Sequence, residues 1–361
     1  MDRVGESLER KSLFQSHISI MLTRRCNIRC RHCCVEALPA SALEGDTAEQ
    51  DLRDWVLQTA QVPTVTHLSL TGGEPFLVNS LLREAVDLAA GRGLQVGVVT
   101  SGFWATSPAA AQRRLEPLAK WAKQFTLSLS VDRFHQEHVP LERIRNAIVA
   151  AHEVGIEQVK IKLGYLGVSA EESREQLLRK IGQVPAPFAI EFQLVHRTGR
   201  AVRQVSRDEF VKEEEQFQAV SVVNIPCTMA DFPLITPEGN VYACCGVALL
   251  LKHQTPLLLG NLHKENLSEI LDRSETNTIL HFIRLYGPLQ LFKRTGRKVK
   301  IKDCDATSLC TLCLKLFASP SLVADLEQQL QETGWKKTTR AIAVDRLLYR
   351  GEPAALARMS P

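Results

Sequence analysis

Residues Ile18-Ser19-Ile20-Met21-Leu22-Thr23-Arg24-Arg25-Cys26-Asn27-Ile28-Arg29-Cys30-Arg31-His32-Cys33 decide how the rest of the chain reads. Ile18 to Leu22 is an apolar run that stops at Thr23, the pattern of a short buried strand. The loop after it spaces three thiols as C-x3-C-x2-C. Three thiolates on one loop can each take one iron of a cubane iron–sulfur cluster, and the fourth iron is then left without a protein ligand. Such an open position is where a small molecule binds and reacts. A structural zinc site would want a fourth ligand and tighter CxxC pairs.

Outward from that loop, strand and helix patterns alternate. Thr47 to Thr59 reads as a helix, with Thr47 as N-cap and Gln50 completing a capping box. His67 to Leu70 is a strand that stops at Gly72-Gly73. Asn79 to Ala90 is a helix ended by Gly91, and Leu94 to Thr100 is a strand. Pro108 to Ala122 is helical and Phe125 to Val131 extended. Leu141 to Val154 is a helix ended by Gly155, followed by a strand from Val159 to Leu163. A helix from Ala170 to Ile181 and a strand from Phe188 to Val195 close the series. Repeated strand–helix units predict a parallel sheet with right-handed crossovers. Six units predict an α/β fold, a partial (β/α)6 TIM-like barrel, with ligands at the C-terminal strand ends. Both Cys26 to Cys33 and Gly72 to Pro75 fall on that rim.

The chain has 361 residues, 45% hydrophobic and 23% charged, and a net charge of +4. That is long enough for a large α/β domain plus an extension and too ordinary for a disordered chain. The mild charge predicts no nucleic-acid partner. No apolar run reaches the ~18 residues of a membrane span, and residues 1–16 lack a signal-peptide core. A cytoplasmic location is therefore expected. There, ten cysteines at short spacings point to metal or redox chemistry rather than disulfides. They fall in two groups, Cys26 to Cys34 and Cys227 to Cys313, with none in the 192 residues between. Two sites on either side of a scaffold are expected.

The N-terminal loop, preceded by a strand and followed by β/α units, resembles the radical S-adenosylmethionine (radical SAM) superfamily. Its signature is C-x3-C-x-Φ-C, and His32 occupies the aromatic Φ position. Thr71-Gly72-Gly73-Glu74-Pro75, one β/α unit later, resembles the GGE motif of the same family. The resemblance implies a 4Fe-4S cluster on Cys26, Cys30 and Cys33. It also implies SAM held near His32 and at Gly72, Gly73, Glu74 and Pro75, with the glutamate and the turn's backbone on SAM's amino group. It implies ribose contacts at the end of the fourth strand, at Ser130 and Asp132. Ser128 lies on the same face, and Gly199-Arg200-Ala201 resembles a further stretch of the family. In the family, one electron from the cluster cleaves SAM to a 5′-deoxyadenosyl radical that abstracts a substrate hydrogen. Cys34 reads as packing or substrate-proximal.

The second group opens with C-x11-G-x4-C from Cys227 through Gly239 to Cys244. Phe232 to Thr236 and Val241 to Ala243 flank Pro237-Glu238-Gly239-Asn240, a hairpin signal. A helix from about Leu267 to Ile283 follows, then Cys304-x5-Cys310-x2-Cys313. This order resembles the SPASM extension, or its shorter form Twitch, which bind auxiliary iron–sulfur clusters. Two fully ligated cubanes need eight thiolates, and six are present. One auxiliary cluster is expected, on Cys227, Cys244, Cys310 and Cys313, with Cys245 and Cys304 in reserve. Cys310-x2-Cys313 alone would suit zinc equally well.

The domains are expected as a lead-in at 1–16, the barrel at 17–220, the auxiliary-cluster region at 221–320 and a helical tail at 321–361. Lys293 to Lys302 carries six positive charges, a solvated face or a steering patch for an acidic peptide or electron donor. Asp132 to His138 offers two histidines and a carboxylate for substrate contact or proton relay, or for capping the next helix. The resemblance implies a radical SAM enzyme that modifies a ribosomally made peptide by cross-linking, epimerisation or oxidation, helped by the auxiliary cluster. Its partners would be the peptide and a flavodoxin or ferredoxin. A first strand near Ile18 leaves no room for a fused leader-binding domain, so a separate leader-recognition protein or direct docking is expected. The alternatives are a radical SAM oxidoreductase acting on a sugar-like small molecule, and a non-enzymatic zinc or Fe–S scaffold.

Overall fold

The computed structural model describes residues 16–210, 226–244, 246–251, 254–275, 277–294, 309–332, 334–335, 337–338 and 341. The described chain packs as two compact units. One holds residues 20–57 and 67–210, and the other residues 16–19, 58–66 and 226–341.

The described chain begins with β1 (His17–Thr23), the short strands β2 (Arg25–Cys26) and β3 (Leu38–Pro39) and helix α1 (Glu49–Gln61). The regular alternation is then β4 (His67–Gly72), α2 (Asn79–Ala90), β5 (Gln95–Thr100), α3 (Pro108–Leu115), β6 (Phe125–Val131), α4 (Leu141–Glu153), β7 (Gln158–Tyr165), α5 (Ala170–Ile181), β8 (Ala189–Leu194) and the single turn α6 (Ala201–Gln204). The six long strands lie in the order β1-β4-β5-β6-β7-β8, and the pairs from β4 to β8 are parallel. Val96 and Val98 of β5, Leu127 and Leu129 of β6, and Val159 and Ile161 of β7 are buried. Leu82, Ala85, Val86 and Ala89 of α2 and Ile144, Ala147, Ile148 and Ala151 of α4 are buried as well, the helix-period stripes that cover a sheet. Ser107 and Ser169 cap α3 and α5 by accepting from Ala110 N and Glu172 N.

Two local expectations are corrected. Thr47 does not cap α1: its hydroxyl donates to Met21 O at 2.8 Å, and the helix begins at Glu49. The helix expected over 108–122 ends at Leu115 and continues as a 3-10 turn from Glu116 to Trp121, with Pro117 in its first turn.

In the second unit, β9 (Leu234–Ile235) and β10 (Asn240–Tyr242) form the expected hairpin, and β11 (Leu258–Asn261) adds to it antiparallel. Gly239, at φ +76, makes the turn that a side chain would strain. The helix expected over 267–283 is two: α7 (Leu267–Glu275) and α8 (Thr278–Arg294). Asn277 starts the second, its Oδ1 accepting from Leu280 N. α9 (Leu309–Phe317) and α10 (Pro320–Glu332) follow, with Leu316, Phe317, Leu326 and Leu330 buried. No single helix among the described residues is long and apolar enough to cross a membrane. Cys245, Cys304, most of the basic stretch after Arg294 and most of the tail beyond Glu332 lie outside the described residues.

Candidate active site and metal centres

The cluster-type loop leaves β1 at its C-terminal end, and Asp46 fixes the departure. The Asp46 carboxylate accepts from Thr23 Oγ1 at 2.6 Å and from Arg25 Nε at 2.8 Å. Cys26 and Cys30 are buried, Cys33 is half-buried, and Cys34 faces solvent. None of the four is in a disulfide. Burial is the main force pushing the Cys26 thiol up to about 12. Glu74 and the thiols of Cys30 and Cys33 push the same way, against a hydrogen bond from the backbone of Ile28. That mutual repulsion means the loop gathers all three sulfurs in one place.

Two other loops grip this one. The segment after β6 packs on it through four side chains. Arg31 pairs with Glu137 at 2.5 Å, and the His32 ring stacks on Phe134 with centroids 4.6 Å apart. His32 Nε2 lies 3.3 Å and His135 Nδ1 2.7 Å from Asp132 Oδ2. His135 also hydrogen-bonds Cys30. Asp132 Oδ1 accepts from the backbone N–H groups of Phe134 and His135 at 2.8 and 2.9 Å. Burial raises the Asp132 pKa, but the charge and hydrogen bond of His135 and the hydrogen bond of His32 outweigh it and hold the carboxyl well below its usual range. Asp132 thus positions both His32 and His135. Gly164 allows it: an added Cβ would sit 2.7 Å from Asp132 Oδ2. The second grip comes from Gly199-Arg200 after β8, where Arg200 Nε donates to Cys30 O at 3.1 Å.

The Gly72 to Pro75 turn meets the start of the same loop. An added Cβ on Gly72 would overlap Thr23 O, and one on Gly73 would overlap Arg25 O. The absent side chains therefore serve a backbone-to-backbone approach inside the protein. Gly73 N–H donates to Thr23 O at 2.7 Å and Glu74 N–H to Arg25 O at 2.8 Å. The Glu74 side chain is 1% exposed and turned inward. It accepts from Thr100 Oγ1 at 2.7 Å, Ser101 Oγ at 2.6 Å, Ser101 N at 2.9 Å and Phe76 N at 3.2 Å. Burial raises its pKa, opposed by those hydrogen bonds. Ser130, on β6, lies in register with Lys162, which shares Glu191 with Lys160. A cavity of about 460 Å³ opens beside Asp132 and Leu166. On its wall, both amide atoms of Gln136 are buried without a hydrogen-bond partner.

In the second unit, Cys227, Cys244, Cys310 and Cys313 converge. Cys313 is pushed well above its ordinary range, first by burial and then by the proximity of Cys244, Cys227 and Cys310. Burial lifts Cys227 to about 11 against backbone hydrogen bonds from Ala230 and Met229. Cys244 is raised by burial against backbone hydrogen bonds from Gly246, Ala248 and Val247. Backbone N–H groups aimed at sulfur suit a thiolate that ligates metal.

A scan against family models matches the Radical SAM superfamily over residues 20–181 and the SPASM iron–sulfur cluster-binding domain over residues 227–313. The chain belongs to the radical SAM superfamily. It is a radical SAM enzyme with a SPASM-type C-terminal extension, and its cofactors are a 4Fe-4S cluster with SAM and an auxiliary Fe–S cluster. A putative peptide biosynthesis protein, YydG of Bacillus subtilis (strain 168), is 23% identical over 315 residues, 85% of this chain and 93% of the relative. Among solved structures, BtrN in complex with AdoMet and 2-DOIA is 13% identical, with a TM-score of 0.45, over 76% of this chain and 89% of that one. The radical SAM enzyme coproporphyrinogen III oxidase (HemN) of Escherichia coli is 14% identical, with a TM-score of 0.37, over 59% and 54%.

The residues present fit these groups. The first loop offers three gathered thiols, and the second unit offers four. His32 Nδ1 is buried without a partner, a polar atom left over for a cofactor. The donor atoms of Cys30, His32 and His135 also lie within 4.8 Å of one another. Both imidazoles, however, are held by Asp132. The sequence named the thiols, His32 and the Gly199-Arg200-Ala201 stretch but missed Thr100 and Ser101 as parts of the site. Thr100-Ser101 at the end of a strand, one β/α unit after a buried glutamate, was the available signal.

Proposed function

We propose that this radical SAM enzyme modifies a ribosomally synthesised peptide. The observation that carries the reading is the alignment with the putative peptide biosynthesis protein over 85% of this chain and 93% of the relative. Cys26, Cys30 and Cys33 hold the SAM-binding cluster, and Cys227, Cys244, Cys310 and Cys313 hold the auxiliary one. Bound there, cluster and SAM supply a carbon-centred radical that abstracts a substrate hydrogen. The chain's own residues orient and shield. His32, stacked on Phe134 and anchored by Asp132, presents Nδ1 to the cofactor. The turn from Gly72 to Pro75 brings its backbone to SAM's amino group, while Glu74 stiffens the turn from behind. Ser130 faces the ribose. The unpaired Gln136 amide, a donor and an acceptor side by side, suits a peptide group. Held by Cys227, Cys244, Cys310 and Cys313, an auxiliary cluster would accept the electron left on the product, and flavodoxin or ferredoxin would supply the reducing electron.

The test is anaerobic incubation of the reconstituted enzyme with SAM, reductant and short peptides encoded beside its gene, read by mass spectrometry. Loss of two hydrogens signals a cross-link, and uptake of one solvent deuterium signals epimerisation. Deoxyadenosine formation that depends on a sugar-like small molecule and leaves every peptide unchanged would overturn the peptide reading.

A further inference from the structure

We infer that Arg200 is a positioning residue for the radical reaction, a buried and permanent counter-ion that holds the cluster loop and eases reduction of the cluster. This rests on the assignment of that cluster to Cys26, Cys30 and Cys33. Arg200 is 5% exposed. Its Nε donates to Cys30 O at 3.1 Å, its Nη1 to Ala37 O at 2.9 Å, and its backbone N–H to Cys33 O at 3.1 Å. One side chain and its own backbone thus reach across the cysteine loop and the residues just after it. Gly199 makes the approach feasible. It sits at φ +55, and an added Cβ would lie 2.5 Å from Cys33 O and 2.9 Å from Cys34 Cα.

The charge balance is what singles Arg200 out. Arg25, Arg31 and Arg203 all lie on or beside the same loop, and each has a carboxylate: Asp46, Glu137 and Glu36. Those three arginines reach solvent, Arg203 most of all. Arg200 is the buried one, and among the described residues it meets only neutral carbonyl oxygens. Burying a guanidinium without an anion is costly. The anion becomes available on metal loading, because thiols lose their protons when they bind iron. A cubane on three thiolates is anionic and gains one more negative charge on reduction. A fixed cation close to it favours the reduced form, since net charge and hydrogen bonding set cluster potentials. Arginine suits the role because its planar fork reaches two carbonyls at once and does not lose its proton.

The test uses full-length, reconstituted R200M and R200K. Each is poised at one fixed potential, with the reduced fraction read from the EPR signal that SAM perturbs and iron measured in parallel. The expected result for R200M is wild-type iron and a reduced-to-oxidised ratio about tenfold lower, which for a one-electron couple is ~59 mV. R200K, which keeps the charge, stays close to the wild type. An unchanged ratio in fully loaded R200M overturns the inference, and so does R200K falling as far as R200M. If R200M fails to hold iron, R200K decides: a wild-type ratio supports the counter-ion, and loss of iron there too overturns it. Wild-type protein with no SAM-sensitive signal would instead sink the cluster assignment itself, a distinguishable failure.

Discussion

Gly199→Ala tests the contact between the end of the sixth barrel strand and the cysteine loop. Two costs can be worked from the structure. Gly199 has φ +55, and a left-handed conformation costs an L-residue roughly 1–2 kcal/mol. The new Cβ would stand 2.5 Å from Cys33 O and 2.9 Å from Cys34 O, all backbone atoms with no rotamer to yield. Relief requires moving the Cys33 carbonyl by about half an ångström or more, which strains its bond from Arg200 N–H. Overpacking of this kind costs roughly 1–3 kcal/mol. Together the loss is about 2–5 kcal/mol, or roughly 4–20 °C in Tm for a unit of this size. Gly93→Ala is the control. Gly93 also has positive φ, at +85, but nothing lies within 4 Å of its added Cβ. It should lose only the backbone share, roughly 1–2 kcal/mol. The assay is thermal unfolding of both variants, with iron content after reconstitution. G199A should lose more Tm than G93A and bind less iron. Equal Tm losses and full iron in G199A would refute the loop contact.

Further outcomes follow from other groups. Glu74→Gln sets an amide N–H2 or a weaker acceptor against donors at Ser101 and Thr100, so denaturant unfolding should show a loss of about 1–3 kcal/mol; an unchanged midpoint would mean the carboxylate is not the acceptor it looks. Cys313→Ala should cut iron from about eight to about four per chain while 5′-deoxyadenosine still forms, and unchanged iron would remove Cys313 from the ligands. His196 has its pKa lowered by burial from 6.5 to about 4, so the unfolded chain takes up its proton first. Its stabilisation is complete above about pH 6.5 and is lost as pH falls toward 4. His196→Leu should flatten the Tm–pH curve in that window, and an identical slope in the variant would contradict the burial.

The alternation of strand and helix was legible because each element carries a local signal. Buried runs such as Val96 to Thr100 stop at polar residues, and Ser107-Pro108 and Ser169 announce helix starts. What failed depended on partners far away in sequence. Thr47 looks like an N-cap, but Met21 O takes its hydroxyl. The break between α7 and α8 had its own signal, the polar run from Asp272 to Thr278 with Asn277 placed to cap a new helix, and the single helix expected over 267–283 ran through it. The thiol groups were legible because spacing encodes a ligand loop. The roles around them were not. Asp132 reads as a hydroxyl contact, and nothing local announces the two imidazoles and two backbone amides that also meet it. Arg200 sits in a motif that reads as a ligand contact, and its partners are carbonyls 163 to 170 positions earlier.

The central claim is that Cys26, Cys30 and Cys33 carry the cluster that cleaves SAM, and that the C-terminal thiols do not. The direct measurement is 5′-deoxyadenosine formed with excess reductant by anaerobically reconstituted wild type and by Cys26→Ala, Cys30→Ala and Cys33→Ala. Each single variant should lose deoxyadenosine formation while retaining the iron of the auxiliary cluster. Wild-type formation in any one of the three would contradict the account.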